Sequence, residues 1–185
     1  MGEPKDLQDT ISLTFYFIGG WLQVGNITLN DENTVDTIAT NHIYNPSPIS
    51  DLHKVRKSQF MLDPEVVQSL FKDGGYTEMR IKCHKTWHGR RVHVILSGET
   101  MIKYIAMKEQ VLGLCGSVRF LSDDDSYLGN QNCQDFHVGY DYYNYFTFPI
   151  FKNGQYSVSF YARSRYDCDD YQDAKRLGNW QYYIR

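Results

Sequence analysis

The chain lacks several features that mark common functional classes. Its 19 lysines and arginines form no dense basic block, and 22 acidic residues bring the formal net charge to −3. Nucleic-acid and anionic-membrane surfaces need concentrated positive charge, so the composition argues against both as the main function. The sequence also contains no nucleophile elbow, phosphate-binding loop or paired metal-ligand motif, which argues against an enzyme.

A visible export signal or membrane span is also lacking. Residues 1–10 are polar and acidic, and we expect them to form a disordered N-terminal segment. The apolar stretch at 11–21 is interrupted by Ser12 and Thr14, has no basic leading region and is too short to cross a bilayer. We expect residues 11–185 to form a single domain.

The cysteines are even in number, widely spaced and without a Cys-x-x-Cys pair: Cys83, Cys115, Cys133 and Cys168. Zinc sites and redox motifs normally contain closely spaced pairs, so a disulfide framework is the better interpretation. Three pairings are open at this point, and four reduced thiols in a cytosolic protein are the alternative. Bonded cysteines would predict a secreted or extracellular protein.

One further motif bears on the compartment. The triplet that begins at Asn26 reads Asn-Ile-Thr, an acceptor for N-linked glycosylation. Such triplets also arise by chance. We therefore predict a glycan on Asn26 only for an exported form of the chain.

The most informative stretch, residues 120–133, contains three consecutive aspartates. Adjacent carboxylates repel one another, so either a cation lies among them or they point apart into water as a solvated acidic turn. Asp123 and Asp125 can reach one side of an extended chain, and a turn at Gly129 can add the main-chain oxygens of Tyr127 and Gly129. Such oxygens are typical Ca²⁺ ligands, and two carboxylates predict weak binding, with a dissociation constant on the order of 10⁻⁴ to 10⁻³ M.

The same stretch resembles the calcium loop of fibrinogen C-terminal-like domains, the family of fibrinogen, ficolins and tenascins. The shared pattern is Asp-x-Asp, an aromatic residue two positions on, a glycine two further and a closing Asn-Cys, here with two extra residues before Cys133. Residues 19–24 resemble the family's Gly-Gly-Gly-Trp-Thr-Val strand, and 60–81 resemble the segment that leads into its leucine-arginine strand. The resemblance covers roughly residues 19–133.

This resemblance implies an α+β fold with a twisted, mainly antiparallel sheet, few short helices and long loops. It places Ca²⁺ on the two carboxylates and two main-chain oxygens just described. It also implies a disulfide between Cys133 and the next cysteine, Cys168, which leaves Cys83 with Cys115. The chain departs from the family because it has no cysteine before Cys83 and no Trp-Trp segment after the loop.

A tyrosine-rich run takes the place of that segment. Six aromatic rings occupy the nine residues 140–148. Exposed tyrosines beside aspartate and asparagine suit stacking on sugar rings or on an apolar peptide group, and an aromatic core strand is the alternative. The candidate ligand-binding residues are Tyr140, Tyr142, Tyr143, Asn144 and Tyr145.

Local patterns elsewhere predict a mainly β chain. Residues 12–18 and 21–29 are rich in β-branched and aromatic residues and predict two strands. Alternation at 78–83 predicts a half-buried strand, joined through a surface turn to a second strand at 91–96. Further strands are predicted at 156–162 and, as a closing strand, at 180–184.

One helix is clearly predicted. Asp63 is suited to cap it, Pro64 suits its first position, and Gly74 ends its apolar stripe. The polar stretch 30–58 is expected to be a long loop. Residues 101–114 fit either a pair of strands or a helix.

Two polar groups raise the question of a metal site. His84, His88 and His93 lie in or near the predicted surface turn, but histidines on strands need not converge and no fourth ligand is evident. We therefore favour a surface turn over zinc. The second acidic cluster, 167–170, could complete a metal site, and we interpret it as a solvated segment.

Together the patterns predict a secreted or extracellular, calcium-stabilised recognition module, a lectin or adhesion domain, and not an enzyme. Its expected partner is a glycan or an extracellular protein, with no nucleic acid and no membrane span, and a homo-oligomer is compatible with the sequence. One alternative is a structural extracellular-matrix or assembly protein. The other is a metal-dependent hydrolase that uses the aspartate clusters with His84 or His88.

Overall fold

A computed structural model describes residues 17–18, 20–44, 46–50, 59–106, 109–139, 150–152, 155–160, 166–170 and 175–185. The predicted N-terminal segment, 1–10, lies outside this part of the chain. So do the candidate ligand-binding residues Tyr140, Tyr142, Tyr143, Asn144 and Tyr145.

The described strands form two antiparallel sheets and are numbered in chain order. The larger sheet contains β1 (Phe17–Ile18), β2 (Trp21–Leu29), β3 (Phe60–Met61), β4 (Glu78–Lys85), β5 (Arg91–Ser97), β7 (Val118–Phe120) and β12 (Gly178–Ile184). The smaller sheet contains β6 (Val111–Leu112), β8 (His137–Gly139), β9 (Ile150–Lys152), β10 (Ser157–Val158) and β11 (Cys168–Asp170). The order is β1-β2-β12-β4-β5-β7 in the larger sheet, with β3 on β2, and β11-β10-β9-β8-β6 in the smaller one.

The strand predicted to close the fold, β12, lies instead at the centre of the larger sheet. It pairs with β2 on one side and with β4 on the other. Its Trp180, Tyr182 and Ile184 are fully buried. Alternate burial along β4 confirms the predicted half-buried strand, because side chains of period two face the core and the outside in turn.

Helices are few and short among the described residues, and none of them is long and apolar enough to cross a membrane. The prediction of α2 (Pro64–Asp73) is confirmed, with Asp63 accepting a hydrogen bond from the main-chain nitrogen of Glu65 at 2.8 Å. The expected loop at 30–58 is wrong in part, because α1 (Val35–Tyr44) forms there. Val35 is buried and Ile38, three residues further on, packs against the same core, so the segment has an apolar helical spacing that the polar residues around it obscured.

The ambiguous segment 101–114 resolves into three pieces. A short helix, α3 (Glu99–Met101), continues as a π-helical turn over Ile102–Ala106, and β6 follows. Met101, Tyr104 and Ile105 are buried against the sheet. Tertiary packing, and not a regular period, therefore determines this segment.

One cluster of buried residues includes members of both sheets, among them Ile81 and Trp180 of the larger sheet and Val138 and Val158 of the smaller. Mainly antiparallel sheets with few short helices are an α+β arrangement. The sheets are therefore not independent layers but share a core.

All four cysteines are paired, in two disulfides. Cys83 is bonded to Cys168 and Cys115 to Cys133, so the pairing implied by the family resemblance is wrong. The reason is the strand register, which turns Cys83 inward from β4 toward β11. The second bond closes a local loop in which the main-chain nitrogen of Leu114 donates to the oxygen of Cys133 at 3.0 Å.

Candidate functional site

The three consecutive aspartates after β7 lie close to basic residues of the protein. Asp123 accepts a hydrogen bond from Nδ1 of His93 and lies 3.4 Å from Nζ of Lys82. Asp125 accepts from the main-chain nitrogen of Arg91 and lies 3.4 Å from its guanidinium. The hydrogen bond from Arg91 lowers the pKa of Asp125. Side chains of β4 and β5 thus offset the repulsion expected among these carboxylates.

Asp124 points in a different direction and orders the loop from inside. Its Oδ2 accepts from the main-chain nitrogen of His93 at 2.6 Å, and its Oδ1 accepts from the hydroxyl of Ser126 at 2.8 Å. Burial raises the pKa of Asp124. A Cβ at Gly129 would lie 2.8 Å from Oδ1 of Asp124, so this glycine permits a close approach.

Three of the four predicted calcium ligands, all but the main-chain oxygen of Gly129, already accept hydrogen bonds from protein donors. Besides Asp123 and Asp125, the main-chain oxygen of Tyr127 accepts from the nitrogen of Asn130 at 3.2 Å and from Nε2 of Gln131 at 3.0 Å. Within the part of the chain described, no three histidine, cysteine, aspartate or glutamate side chains are grouped so that they could hold a metal ion. The residues fit Ca²⁺ only after these donors are displaced, and calcium binding stays a prediction.

The second acidic cluster is buried, so its interpretation as a solvated segment is wrong. Asp167, Asp169 and Asp170 are 1%, 0% and 8% exposed. Buried carboxylates need partners, and each has them. Asp167 accepts from two serine hydroxyls, Asp169 binds Arg90, and Asp170 binds Lys85.

Asp169 connects two loops that are far apart in sequence. Its carboxylate accepts hydrogen bonds from Nε of Arg90 and from the main-chain nitrogens of Tyr127 and Leu128, the last two at 2.9 and 2.8 Å. Its main-chain oxygen accepts from Nη2 of Arg90 at 2.9 Å. Its φ of 61° is left-handed, a conformation that aspartate adopts more readily than most residues. An internal carboxylate therefore orders the turn after β4 and the acidic loop together.

Arg90, which binds this carboxylate, belongs to a series of contacting residues, here called the aromatic surface: Trp87, His88, Arg90, Tyr127 and Tyr156. Trp87 and Tyr127 are 44% and 50% exposed. The guanidinium of Arg90 lies 4.3 Å from the ring centre of Tyr127, and the Tyr156 ring lies 5.6 Å from it. The Trp87 and His88 rings are 4.8 Å apart. Each exposed ring is thus in contact with neighbouring side chains.

His88 is held in one tautomer within the aromatic surface. The main-chain nitrogen of Arg90 donates to its Nδ1 at 3.0 Å, so Nε2 carries the proton and donates to the main-chain oxygen of Cys168 at 3.0 Å. Burial, followed by the charge of Arg90, lowers the pKa of His88. Both ring nitrogens are occupied, and His93 faces Asp123 instead, so the histidines do not converge on a zinc position.

Sequence patterns did not predict the aromatic surface. Its signal is a tryptophan three residues before an arginine in the short turn between β4 and β5, a position that usually holds small polar residues. The part played by Asp169 has no local signal, because Arg90 lies 79 residues away in sequence. The predicted glycosylation site, Asn26, lies within β2, half-buried and 3.4 Å from Nδ2 of Asn179. Glycosylated asparagines usually lie in exposed loops, whereas Asn26 is half-buried in a strand. Glycosylation of Asn26 stays a prediction.

Comparison of the chain with models of known families, with curated proteins and with solved structures finds no match. The fold and its cysteine pairs define the class of the protein: a disulfide-bonded α+β domain with mainly antiparallel sheets. The resemblance to fibrinogen C-terminal-like domains stays a prediction.

Proposed function

We propose that this chain is an extracellular recognition module that binds carbohydrate through the aromatic surface. The observation that carries the proposal is the anchoring of both exposed loops by one buried carboxylate, Asp169. A binding surface loses less conformational entropy when its side chains are fixed before the ligand arrives. Rings that are both exposed and fixed are what such a surface needs.

The chemistry of the surface suits a sugar. Aromatic faces stack on the apolar faces of sugar rings, while nearby polar groups bind the hydroxyls. Arg90 lies against Tyr127, and Nζ of Lys175 lies 4.5 Å from the ring centre of Trp87. These cationic groups offer hydrogen-bond donors beside each exposed ring.

The extracellular location is supported by the cysteines. Both pairs lie at disulfide distance, with Cα atoms 5.9 and 4.9 Å apart. Disulfides persist mainly in oxidising compartments, and small extracellular domains use them to supplement their cores.

A glycan array tests the proposal with the wild type and the variants Trp87→Ala and Tyr127→Ala. We expect the wild type to bind and each variant to bind at least about tenfold more weakly, equivalent to ~1.4 kcal/mol. Leu112→Ala is the matched control, because Leu112 is 68% exposed on β6, at the opposite edge of the smaller sheet from β11. The proposal fails if the oxidised wild type binds no glycan, or if the control weakens binding as much as the two variants do.

The same array tests the calcium prediction. Loss of glycan binding on chelation, with heat of Ca²⁺ binding in calorimetry, would support an ion at Asp123 and Asp125. If glycan binding is unchanged in the presence of a chelator, the acidic loop is ordered by the Asp169 carboxylate without Ca²⁺. The tyrosine candidates at 140–145 stay a prediction, to be tested by alanine substitution on the same array.

A further inference from the structure

A lysine is buried at the end of β4 and contacts a buried carboxylate. Lys85 is 0% exposed and Asp170 is 8% exposed. Nζ of Lys85 lies 2.5 Å from Oδ2 of Asp170. Lysine is among the residues least often fully buried, and an ion pair loses strong hydration when it enters a core.

The strand geometry brings these two groups together. Cys83 and Cys168 are bonded, and Lys85 and Asp170 each lie two residues further along the same strands. On β4 the side chains of Cys83 and Lys85 face the same side, and on β11 the left-handed backbone of Asp169 leaves Cys168 and Asp170 both buried, so the second pair lies beside the disulfide. Gly178 leaves room for the lysine stem, because a Cβ there would lie 3.1 Å from Cγ of Lys85.

A second carboxyl group completes the cluster. Asp167 is 1% exposed, and its Oδ2 accepts from the hydroxyls of Ser157 and Ser159 at 2.5 and 3.0 Å. The Ser157 hydroxyl also lies 3.1 Å from the main-chain oxygen of Asp170. Burial, opposed in part by Lys85, raises the pKa of Asp170. Burial therefore favours the neutral form of the Asp170 carboxyl group.

We propose that Lys85 and Asp170 condense to an intramolecular isopeptide bond between Nζ and Cγ. The fixed contact between the Lys85 amino group and the Asp170 carboxyl group supplies the proximity that a bimolecular condensation lacks. This covalent cross-link goes beyond carbohydrate recognition and does not depend on it.

The reaction balances without an added oxidant or reductant. A proton passes from the ammonium to Oδ2, and the free amine then attacks Cγ. The main-chain nitrogen of Cys168 donates to Oδ1 at 2.7 Å, where negative charge develops in the tetrahedral intermediate. The attacking nitrogen passes a second proton directly to Oδ2, the atom that it already contacts. The bond from Cγ to Oδ2 breaks, water leaves, and an amide remains.

Intact-mass measurement of the full 185-residue chain, after complete reduction in denaturant, tests the proposal directly. We expect a mass below that of the sequence by one water molecule. Peptide mapping should then give one branched peptide that joins the segment holding Lys85 to the segment holding Asp170. The full sequence mass, in protein that was folded with both disulfides, would overturn the proposal.

Two variants locate the bond. Lys85→Arg keeps the positive charge but should not condense, so it should show the full mass, and a retained loss of water would overturn the assignment. Asp170→Ala removes the carbon that would be attacked and should likewise show the full mass. A retained loss of water in Asp170→Ala would equally overturn the assignment. The wild-type mass decides the main question even where a variant does not fold.

Discussion

Substitution of the buried carboxylate that joins the two loops gives the most decisive test of the structure. Asp169→Asn preserves the size of the side chain and its tolerance of a left-handed backbone, but it removes the charge that pairs with Arg90. Removing one partner of a buried ion pair typically costs 3–5 kcal/mol. Because the Arg90 side chain is 23% exposed, water compensates in part, and we expect a loss of about 3 kcal/mol.

The same chemical change at an exposed pair is the control. In Asp125→Asn the lost partner is Arg91, and the two side chains are 49% and 47% exposed. Exposed pairs contribute little, so the expected loss is below about 1 kcal/mol.

The free energy of unfolding should be measured for both variants by urea denaturation at neutral pH. A second measurement is hydrogen exchange of the main-chain amides of Tyr127 and Leu128. Both amides donate hydrogen bonds to the Asp169 carboxylate. These amides should exchange faster in Asp169→Asn and remain protected in Asp125→Asn. Equal stability loss in the two variants, with both amides still protected, would refute the role assigned to Asp169.

Three further predictions concern stability. Gly178→Ala should destabilise the fold by about 2 kcal/mol, because the new Cβ would lie 2.7 Å from the main-chain oxygen of His84, and its melting temperature should fall accordingly. Burial lowers the pKa of His88 from 6.5, so near this pH the unfolded chain binds more protons than the folded chain. The free energy of unfolding should therefore decrease as pH falls below 6.5, and it should decrease less steeply in His88→Gln. Replacing Cys83 and Cys168 by serine should lower the free energy of unfolding by about 1 kcal/mol more than replacing Cys115 and Cys133, because the two disulfides close loops of 85 and 18 residues. Equal denaturation midpoints for the two variants would contradict this prediction.

Elements with local signals were predictable from the sequence. The helix α2 carries its own cap at Asp63 and a proline at its first position, and the structure matches both. The strand β4 alternates between polar and apolar residues from Glu78 to His84, and Lys85 at its end departs from the pattern. These signals depend on neighbours in the chain, which a sequence displays directly.

Features decided by distant partners were not predictable. The burial of Asp170 depends on Lys85, 85 residues earlier, and a run of acidic letters looks the same whether it is solvated or paired. The disulfide pairing likewise follows from the facing of β4 and β11, which no cysteine spacing reveals. For the same reason the aromatic surface was missed, since Arg90 and Tyr127 become neighbours where both bind Asp169.

The central position of β12 has a consequence for biosynthesis. Asn179 hydrogen bonds to Thr28, 151 residues earlier, so the middle of the larger sheet joins segments from nearly opposite parts of the sequence. During translation, the edges of β2 and β4 that pair with β12 have no partner until the ribosome releases β12. Contacts this remote slow folding, and open edges attract other chains. Nascent molecules should therefore need chaperone protection until translation passes Ile184.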